Sequence, residues 1–260
     1  MCKKRDILLL LPSFAGFVVF FVIPFLGSFV YAFTESAFDS SFVGLENFRR
    51  LFQSTYFRLA VKNTVQFIFC AVPAAMLLSY ITAAAIWHWG GRIPFVRGIF
   101  FLPVVLPSAV VVFLWNAYFS SVQPFSSLLL IFLWKYAGLD VVLMLTAFCS
   151  LDRDMLEAAK IDGAGKARVM SSIILPNMIP TLFFALILTI VNALKIYRES
   201  YLLYGEYPDE SVYMLQNYLN NHFSKLNYQN ISTAAILFFF AIYTITAILL
   251  GAERKWGDSL

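Results

Sequence analysis

The chain has 260 residues, of which 60% are hydrophobic, 18% aromatic and only 13% charged. Soluble globular domains carry about 25% charged residues, so this composition indicates a protein that crosses a membrane several times. The net charge is +4 and no basic cluster is present, which argues against nucleic-acid binding. The three cysteines are widely separated and predict neither a zinc site nor a disulfide framework.

Six apolar runs are long enough to cross a bilayer, which takes about 20 residues. They predict an all-α fold with six transmembrane helices in a single domain over 1–260. The predicted spans are 7–33, 64–87, 98–119, 125–149, 178–204 and 231–252. Pro103 and Pro107 lie in the third run and each removes a backbone hydrogen bond, so we expect that span to bend or break.

Lys and Arg residues predict the orientation of these spans. An even number of spans puts both termini on one side, and that side carries eleven basic residues against five on the other. The excess places both termini and the loop 151–177 in the cytoplasm. On the outer side, the segment GLENFRRLF has apolar residues at helical spacing and predicts an amphipathic helix at the membrane interface. These residues are Leu45, Phe48, Leu51 and Phe52.

The loop contains the sequence EAAKIDGAGKARVMSSIILP, from Glu157 to Pro176, whose GAGK resembles part of a phosphate-binding loop. That motif requires GxxxxGK followed by Ser or Thr, because the first glycine turns the chain and the hydroxyl binds magnesium. Here Lys160 occupies the first position and Ala167 the last. We therefore reject a nucleotide site in this chain.

The same segment fits a helix–turn–helix pattern. Asp154 is a predicted helix cap, with Glu157 three residues on as in a capping box. A short helix is expected over 155–161, and Gly163 ends it because glycine tolerates positive φ. Small side chains next to Glu157 would let another protein approach closely. The alternative is a solvated loop without a partner.

The segment E157-A-A-x-x-D-G-A-G, followed by I174-L-P and Pro180, resembles the EAA signature of ABC importer permeases. The chain is similar to carbohydrate-importer permeases of the maltose-transporter, or type I, class, and to the first of their two permeases. The resemblance covers nearly the whole chain, including FFLP at 100–103, WK at 134–135 and YMLQNYL at 213–219. It departs from the family in the short segment 120–124 and in YGEYP, where TGGGP is common.

The resemblance implies a non-catalytic membrane subunit of an ATP-driven, binding-protein-dependent importer of a sugar or oligosaccharide. The EAA helix, between the fourth and fifth spans, would be the coupling helix that contacts an ATPase subunit. Its contact residues would be Glu157, Ala158, Ala159, Asp162 and Gly163. This chain would bind no cofactor, because ATP and magnesium would belong to two partner ATPase subunits. A second permease, an extracellular solute-binding protein and membrane lipid would complete the assembly in a bacterial cytoplasmic membrane.

Polar residues within spans are costly and usually face a cavity or a partner. The resemblance places a sugar site near mid-membrane, partly between the fourth and fifth spans. The predicted substrate-path residues are Tyr136, Asp140, Asn192, Lys195, Arg198 and Glu199. For Arg198 and Glu199, snorkelling to the interface or pairing with each other is an equal alternative. Lys135 lies in the outer half beside Trp134, a possible interface anchor. The basic residues of the fifth span leave an acidic sugar or a glycerol phosphoester open as the solute.

Two other function classes remain as hypotheses at this point. An intramembrane enzyme would use carboxylates such as Asp140, Asp152 or Asp154, although no second acid, base or metal group accompanies them. A secondary carrier driven by an ion gradient would account for the charges within the spans. It would leave the EAA loop without a role.

Overall fold

The computed structural model describes residues 4–36, 41–89, 93–119 and 121–257. In these ranges the predicted all-α fold is confirmed, and the β interaction they contain is a single bridge between Thr34 and Phe42. The first helices are α1 (Lys4–Phe17), α2 (Ile23–Phe33), α3 (Glu46–Gln53), α4 (Thr55–Trp89), α5 (Ile93–Val105), α6 (Ser108–Phe119) and α7 (Pro124–Cys149). They are followed by α8 (Arg153–Ile161), α9 (Lys166–Val169), α10 (Leu175–Leu194), α11 (Tyr197–Tyr204), α12 (Leu215–Ser224) and α13 (Tyr228–Gly257). Short π-helical stretches join α1 to α2 and α9 to α10.

Five helical segments of the described chain are long and apolar enough to cross a membrane. They are Leu10–Phe33, Thr55–Trp89, Pro124–Cys149, Lys166–Tyr204 and Tyr228–Lys255. A sixth crossing is obtained if α5 and α6 are taken together as one broken span. The extent of the single domain predicted over 1–260 stays a prediction.

The break between α5 and α6 confirms the expectation for the third span, since the two helices meet at 91°. Pro107 has no N–H to donate to the carbonyl of Pro103, so the helical ladder stops there. The new helix begins at once, because the N–H groups of Val110 and Val111 donate to the carbonyl of Pro107 at 3.0 and 3.2 Å. The two prolines therefore convert one apolar run into two helices of different direction.

The described residues of Met1–Arg58 and Tyr218–Tyr243 form one compact unit. In it, the predicted amphipathic helix exists as α3, and Asn47 binds it to the end of α2. The Asn47 amide donates to the carbonyls of Ala32 and Thr34 at 3.0 and 2.9 Å. Leu51 is buried, whereas Leu45 and Phe52 are exposed. Only part of the predicted apolar stripe therefore packs within the unit.

The second unit comprises the described residues of Leu59–Asn217 and Thr244–Leu260, and α7 lies at its centre. The first core surrounds the N-terminal half of α7 and includes Phe67, Leu128, Phe132 and Ile196. The second core surrounds the C-terminal half and includes Met144, Phe148, Ile174 and Met178. Since its N-terminal half packs in the first core and its C-terminal half in the second, α7 connects the two cores.

Gly138 allows α5 and α7 to pack closely. A Cβ atom at this position would collide with the backbone carbonyl of Phe100. Close helix approach through small residues is common in membrane proteins, where lipid provides no hydrophobic drive for association. The Ser79 hydroxyl adds a contact from α4 by donating to the carbonyl of Ala137 at 2.8 Å.

Candidate functional site: the α8 segment and the polar groups between spans

The start of α8 is set by an aspartate, although not by the one predicted. Asp152 has extended backbone angles and its Oδ1 accepts a hydrogen bond from the N–H of Asp154 at 2.9 Å. The prediction that Asp154 caps the helix is therefore wrong by two residues. Asp154 instead lies in the first turn, where its negative charge favours the positive end of the helix dipole. Both carboxylates thus stabilise the start of α8.

The end of α8 is a glycine turn, as the sequence predicts. Gly163 has φ of +74°, a left-handed conformation that favours glycine. The N–H of Ala164 donates to the carbonyl of Ala159 at 2.9 Å, and that of Gly163 donates to Lys160 at 3.1 Å. This hydrogen-bond pattern is a Schellman motif, which satisfies carbonyls left free at a helix end.

One face of the α8 segment (residues 152–164) is exposed. Of the five predicted contact residues, Glu157, Ala158, Asp162 and Gly163 are exposed, whereas Ala159 is 9% exposed and faces the protein itself. The sequence reasoning missed Ile161, an isoleucine whose side chain is 86% exposed at the helix end. Its signal was available, since an apolar residue followed immediately by the polar turn has few neighbours to cover it.

The opposite face of the segment is packed. Leu156 contacts the second core, and so do Val169 and Met170 from the short helical stretch that follows. The Tyr80 hydroxyl of α4 lies 3.0 Å from the sulfur of Met170. A movement imposed on α8 would therefore reach the helices around the second core.

The predicted substrate-path residues fall into two groups. Tyr136, Asp140 and Glu199 are buried, with 9%, 1% and 0% of their surfaces exposed. Lys195 and Arg198 are exposed, and Asn192 is half-buried. Tyr136 and Asp140 lie on α7, and Asn192 and Lys195 lie at the end of α10. Arg198 and Glu199 belong to the first turn of α11. The structure thus gathers them along α7 and the break between α10 and α11.

Asp140 is held by a direct contact between α7 and α10. The hydroxyl of Thr189 lies 2.7 Å from its Oδ2 and is also 2.7 Å from the carbonyl of Ala185. Both Asp140 and Thr189 are buried. In this arrangement the carboxyl group serves as a hydrogen-bonded link between two spans.

Three polar side chains from three helices form a second contact, Ser108, Lys135 and Glu199. We call it the buried triad after its two buried charges, since Ser108 itself is half-buried. The Nζ of Lys135 lies 2.6 Å from Oε1 of Glu199, and both residues are buried. Ser108 donates to the same carboxylate oxygen at 2.7 Å and accepts from Lys135 at 3.1 Å. A charge in a membrane-spanning segment is expected to find such a partner.

The triad corrects one sequence-based alternative. Glu199 pairs with Lys135, so the alternative in which it pairs with its neighbour Arg198 is wrong. The reason is geometric: consecutive residues of a helix point in different directions, so Arg198 is exposed while Glu199 is buried against Lys135 of α7. Lys135 was noticed as a charge but left out of the site. Opposite charges in two neighbouring spans were the signal that connects it to Glu199.

An apolar cavity of about 560 Å³ lies elsewhere in the second unit, between α4, α6 and α7. It is lined by Leu78, Val111, Leu114, Trp115, Tyr118, Phe119, Leu130, Leu133 and Trp134. None of the six predicted path residues lines it. Across the described ranges, no group of three or more His, Cys, Asp or Glu side chains is placed to hold a metal ion.

Comparison with known families identifies the chain. A family model described as "Binding-protein-dependent transport system inner membrane component" matches residues 94–252, which is more than half of the chain. The matched region contains the α8 segment and the buried triad. The chain belongs to this family. This permease is therefore a non-catalytic membrane subunit of an ABC importer, in which a separate subunit is the ATPase. The enzyme and secondary-carrier hypotheses do not apply to a chain of this family.

Relatives of the permease match it along much of its length. It is 24% identical to the trehalose/maltose transport system permease protein MalF of Thermococcus litoralis, with 98% of this chain and 95% of that protein covered. It is 28% identical to the sn-glycerol-3-phosphate transport system permease protein UgpA of Pectobacterium atrosepticum, over 71% of each chain. A solved bacterial ABC transporter involved in import of the acidic polysaccharide alginate has a chain with a TM-score of 0.79 and 25% identity, covering 97% of this chain and 96% of that one.

Proposed function

We propose that the chain is one of two different permease subunits in an ATP-driven importer of a sugar or oligosaccharide, and that its α8 segment docks onto a partner ATPase. The observation that carries the proposal is the form of this segment. It is a capped helix with a Schellman turn, exposed on one face and anchored on the other. Its position between two apolar spans agrees with the EAA signature that the sequence resembles.

The exposed face has the chemistry of a protein contact. Ala158 lets a partner backbone approach, while Glu157 and Asp162 offer hydrogen-bond acceptors at its edges. Ile161 is 86% exposed, and full burial of such a side chain contributes about 1.5–3 kcal/mol. An apolar cleft on the ATPase would supply that burial. Ala159 supports the helix from behind, since it packs against the chain itself.

The packed face gives the docked helix a route into the membrane. Leu156, Val169 and Met170 attach it to the second core, which includes residues of α4, α7 and α10. When two ATPase subunits close on ATP and magnesium, they would carry their docked helices with them. ATP shifts the transporter only if it binds the outward-open state more tightly than the inward-open state. The spans would then rock around a solute site near mid-membrane.

The proposed orientation follows the basic residues: both termini and the α8 segment lie in the cytoplasm of a bacterial cell, and the chain is embedded in the lipid of the cytoplasmic membrane. An extracellular solute-binding protein delivers the cargo on the other side. The family description itself supports this partner, because it names a binding-protein-dependent system.

The first candidate solute is a neutral sugar, as in the named transport of trehalose or maltose by one relative. A second candidate, an acidic sugar or a glycerol phosphoester, is favoured by a specific observation. Lys195 and Arg198 are exposed at the break between α10 and α11, whereas the charge of Lys135 is compensated by Glu199. Two relatives are named for anionic cargo, alginate and sn-glycerol-3-phosphate.

Within the path, the accessible residues Asn192, Lys195 and Arg198 can meet a solute directly. Tyr136, Asp140 and Glu199 are packed, so they would contact it only after helices have moved. The Nζ atom of Lys135 lies 5.4 Å from the centre of the Tyr136 ring. These six residues form the proposed substrate path.

The docking proposal is tested by ATPase retention. The tagged chain is purified from its native membranes, and ATP hydrolysis per mole of chain is measured. We expect Glu157→Lys to lower the retained activity at least tenfold, because it reverses a charge on the docking face. Glu210→Lys is the matched control, since Glu210 is an exposed glutamate in another loop. Equal retention by wild type and Glu157→Lys would contradict the proposal.

The orientation is tested by sided labelling in a variant without Cys2, Cys70 and Cys149. A single cysteine replaces Ile161 or Glu210, and intact cells are treated with a membrane-impermeant maleimide. The proposal predicts labelling of Glu210→Cys in intact cells and of Ile161→Cys only after the inner membrane is opened. The reverse pattern would overturn the orientation.

The two solute candidates are separated by the double variant Lys195→Met, Arg198→Met. Uptake is measured in vesicles with the cognate solute-binding protein, using maltose and a uronate oligosaccharide as probes. An anionic cargo predicts at least a tenfold loss of uronate uptake in the variant. Maltose uptake that is abundant and unchanged in the variant would favour the neutral sugar.

A further inference from the structure

Two spans of the described chain are interrupted, and the buried triad lies where both resume. The third span breaks before Ser108, which is the first residue of α6. The fifth breaks at Lys195 and Ile196, and Glu199 follows in the first turn of α11. A short helix that follows a break can change its angle relative to the helix before it. Contacts with other helices therefore fix the angle between the two helices at each break.

The triad supplies a fixed point on an uninterrupted helix. Lys135 belongs to α7, which runs without a break from Pro124 to Cys149. Its ammonium group binds Glu199 of α11 at 2.6 Å and Ser108 of α6 at 3.1 Å. Ser108 and Glu199 also bind each other at 2.7 Å. Each helix is therefore joined to the other two by a hydrogen bond.

Burial makes this junction hard to open. Glu199 has 0% and Lys135 5% of its surface exposed. Among the described residues, the second carboxylate oxygen of Glu199 has no hydrogen-bond partner, so the charge depends on Lys135 and Ser108. Separating a buried ion pair leaves two charges without compensation, which is strongly unfavourable. A conformational change that moved α11 away from α7 would incur that cost, whereas one that moved α6 away would break the two hydrogen bonds of Ser108.

The C-terminal end of α7 leads directly to α8, since only residues 150–152 separate the two helices. The hydrophobic contacts of the first core also link α6, α7 and the α10–α11 junction, through Val111, Ile131 and Ile196. Apolar contacts can slide, whereas the triad is directional, because each hydrogen bond needs a narrow range of angles. The charged contact is therefore the part that sets the geometry.

We propose that Ser108, Lys135 and Glu199 are positioning residues that lock the short helices α6 and α11 to α7, so that the three helices move as one body. The inference rests on the proposed function, because it assumes that α8 transmits the movement of an ATPase. It assigns the triad a role in transmitting that movement from α7 to α6 and α11.

The test measures distances between spin labels in the purified complete transporter, without nucleotide and with ATP and vanadate. The native cysteines are first replaced. Two cysteine pairs use exposed positions: Phe113 of α6 with Leu130 of α7, and Phe113 with Leu202 of α11. Both pairs lie within the proposed body, and each is measured in the wild-type background and in the double variant described below.

The lock predicts that both internal distances stay constant when nucleotide is added. A nucleotide-dependent change in either internal pair would overturn it. Failure of the docking proposal is recognised separately, by the absence of retained ATPase.

A second measurement separates positioning from simple stabilisation. The double variant Lys135→Met, Glu199→Leu removes both charges and keeps the volume, so its thermal midpoint should stay within a few degrees of wild type. The lock predicts that its uptake per ATP hydrolysed falls at least fivefold, and that the internal spin-label distances broaden. A double variant with wild-type uptake per ATP would contradict the proposal.

Discussion

The α8 segment and the buried triad differ in how their residues are brought together. The first is contiguous over 152–164, and hydrogen bonds between near neighbours build it. The second joins positions 108, 135 and 199, which meet only when three helices pack. The α8 segment exposes its proposed contact residues, while the triad buries its charges. The comparison teaches that a docking surface can be local, whereas charge compensation inside a membrane protein is a property of the whole packing.

The largest expected effect is on the triad. Lys135→Met removes one partner and leaves Glu199 as a buried charge, which costs about 3–5 kcal/mol of folding free energy. We expect a large fall in the thermal unfolding midpoint in detergent and a loss of assembled transporter. Lys195→Met removes an exposed lysine and should leave the midpoint nearly unchanged. If the two variants unfolded alike, the contrast between buried and exposed charges would fail.

A smaller effect is expected three residues further along α7. Gly138→Ala places a Cβ against the backbone carbonyl of Phe100, and overpacking of this kind costs about 1–3 kcal/mol. Gly98→Ala in α5 is the control, since a Cβ there meets no atom within 4 Å. The control should be neutral or slightly stabilising, because alanine favours helices. Thermal unfolding of both purified variants checks the difference.

The next prediction concerns the turn after α8. Gly163→Ala forces a left-handed conformation on alanine, at a cost of about 1–2 kcal/mol. Since the turn is exposed, the global unfolding midpoint should not move. ATPase retention should fall about five- to thirtyfold, the range that corresponds to this energy. Gly163→Asn tests the cause, because asparagine tolerates positive φ and should retain more ATPase than alanine.

The smallest effect is expected at the helix cap. Asp152→Ala removes the side chain that binds the N–H of Asp154, which costs about 1 kcal/mol of helix stability. Asp154→Ala loses only a charge near the helix start, about 0.3–1 kcal/mol. ATPase retention should therefore fall more for Asp152→Ala than for Asp154→Ala. The opposite order would indicate that Asp154 is the cap after all.

Sequence reasoning succeeded where the cause is local. Gly163 ends α8 because its backbone must adopt positive φ, and Pro103 and Pro107 break the third span because proline lacks an N–H. It placed the cap at Asp154 because Glu157 follows three residues on, as in a capping box, although a second aspartate, Asp152, also stands near the helix start. It passed over the Lys135–Glu199 pair because a charge within a span has many possible partners until the helices are packed.

The sequence by itself determined the membrane class, the broken span, and the family to which the EAA segment points, since these follow from composition, proline chemistry and contiguous residues. Only the tertiary structure decided which charges are compensated, which of the proposed path residues are accessible, and which face of α8 is exposed. The physical reason is that burial and ion pairing depend on neighbours supplied by distant parts of the chain, and periodicity along one helix does not name them.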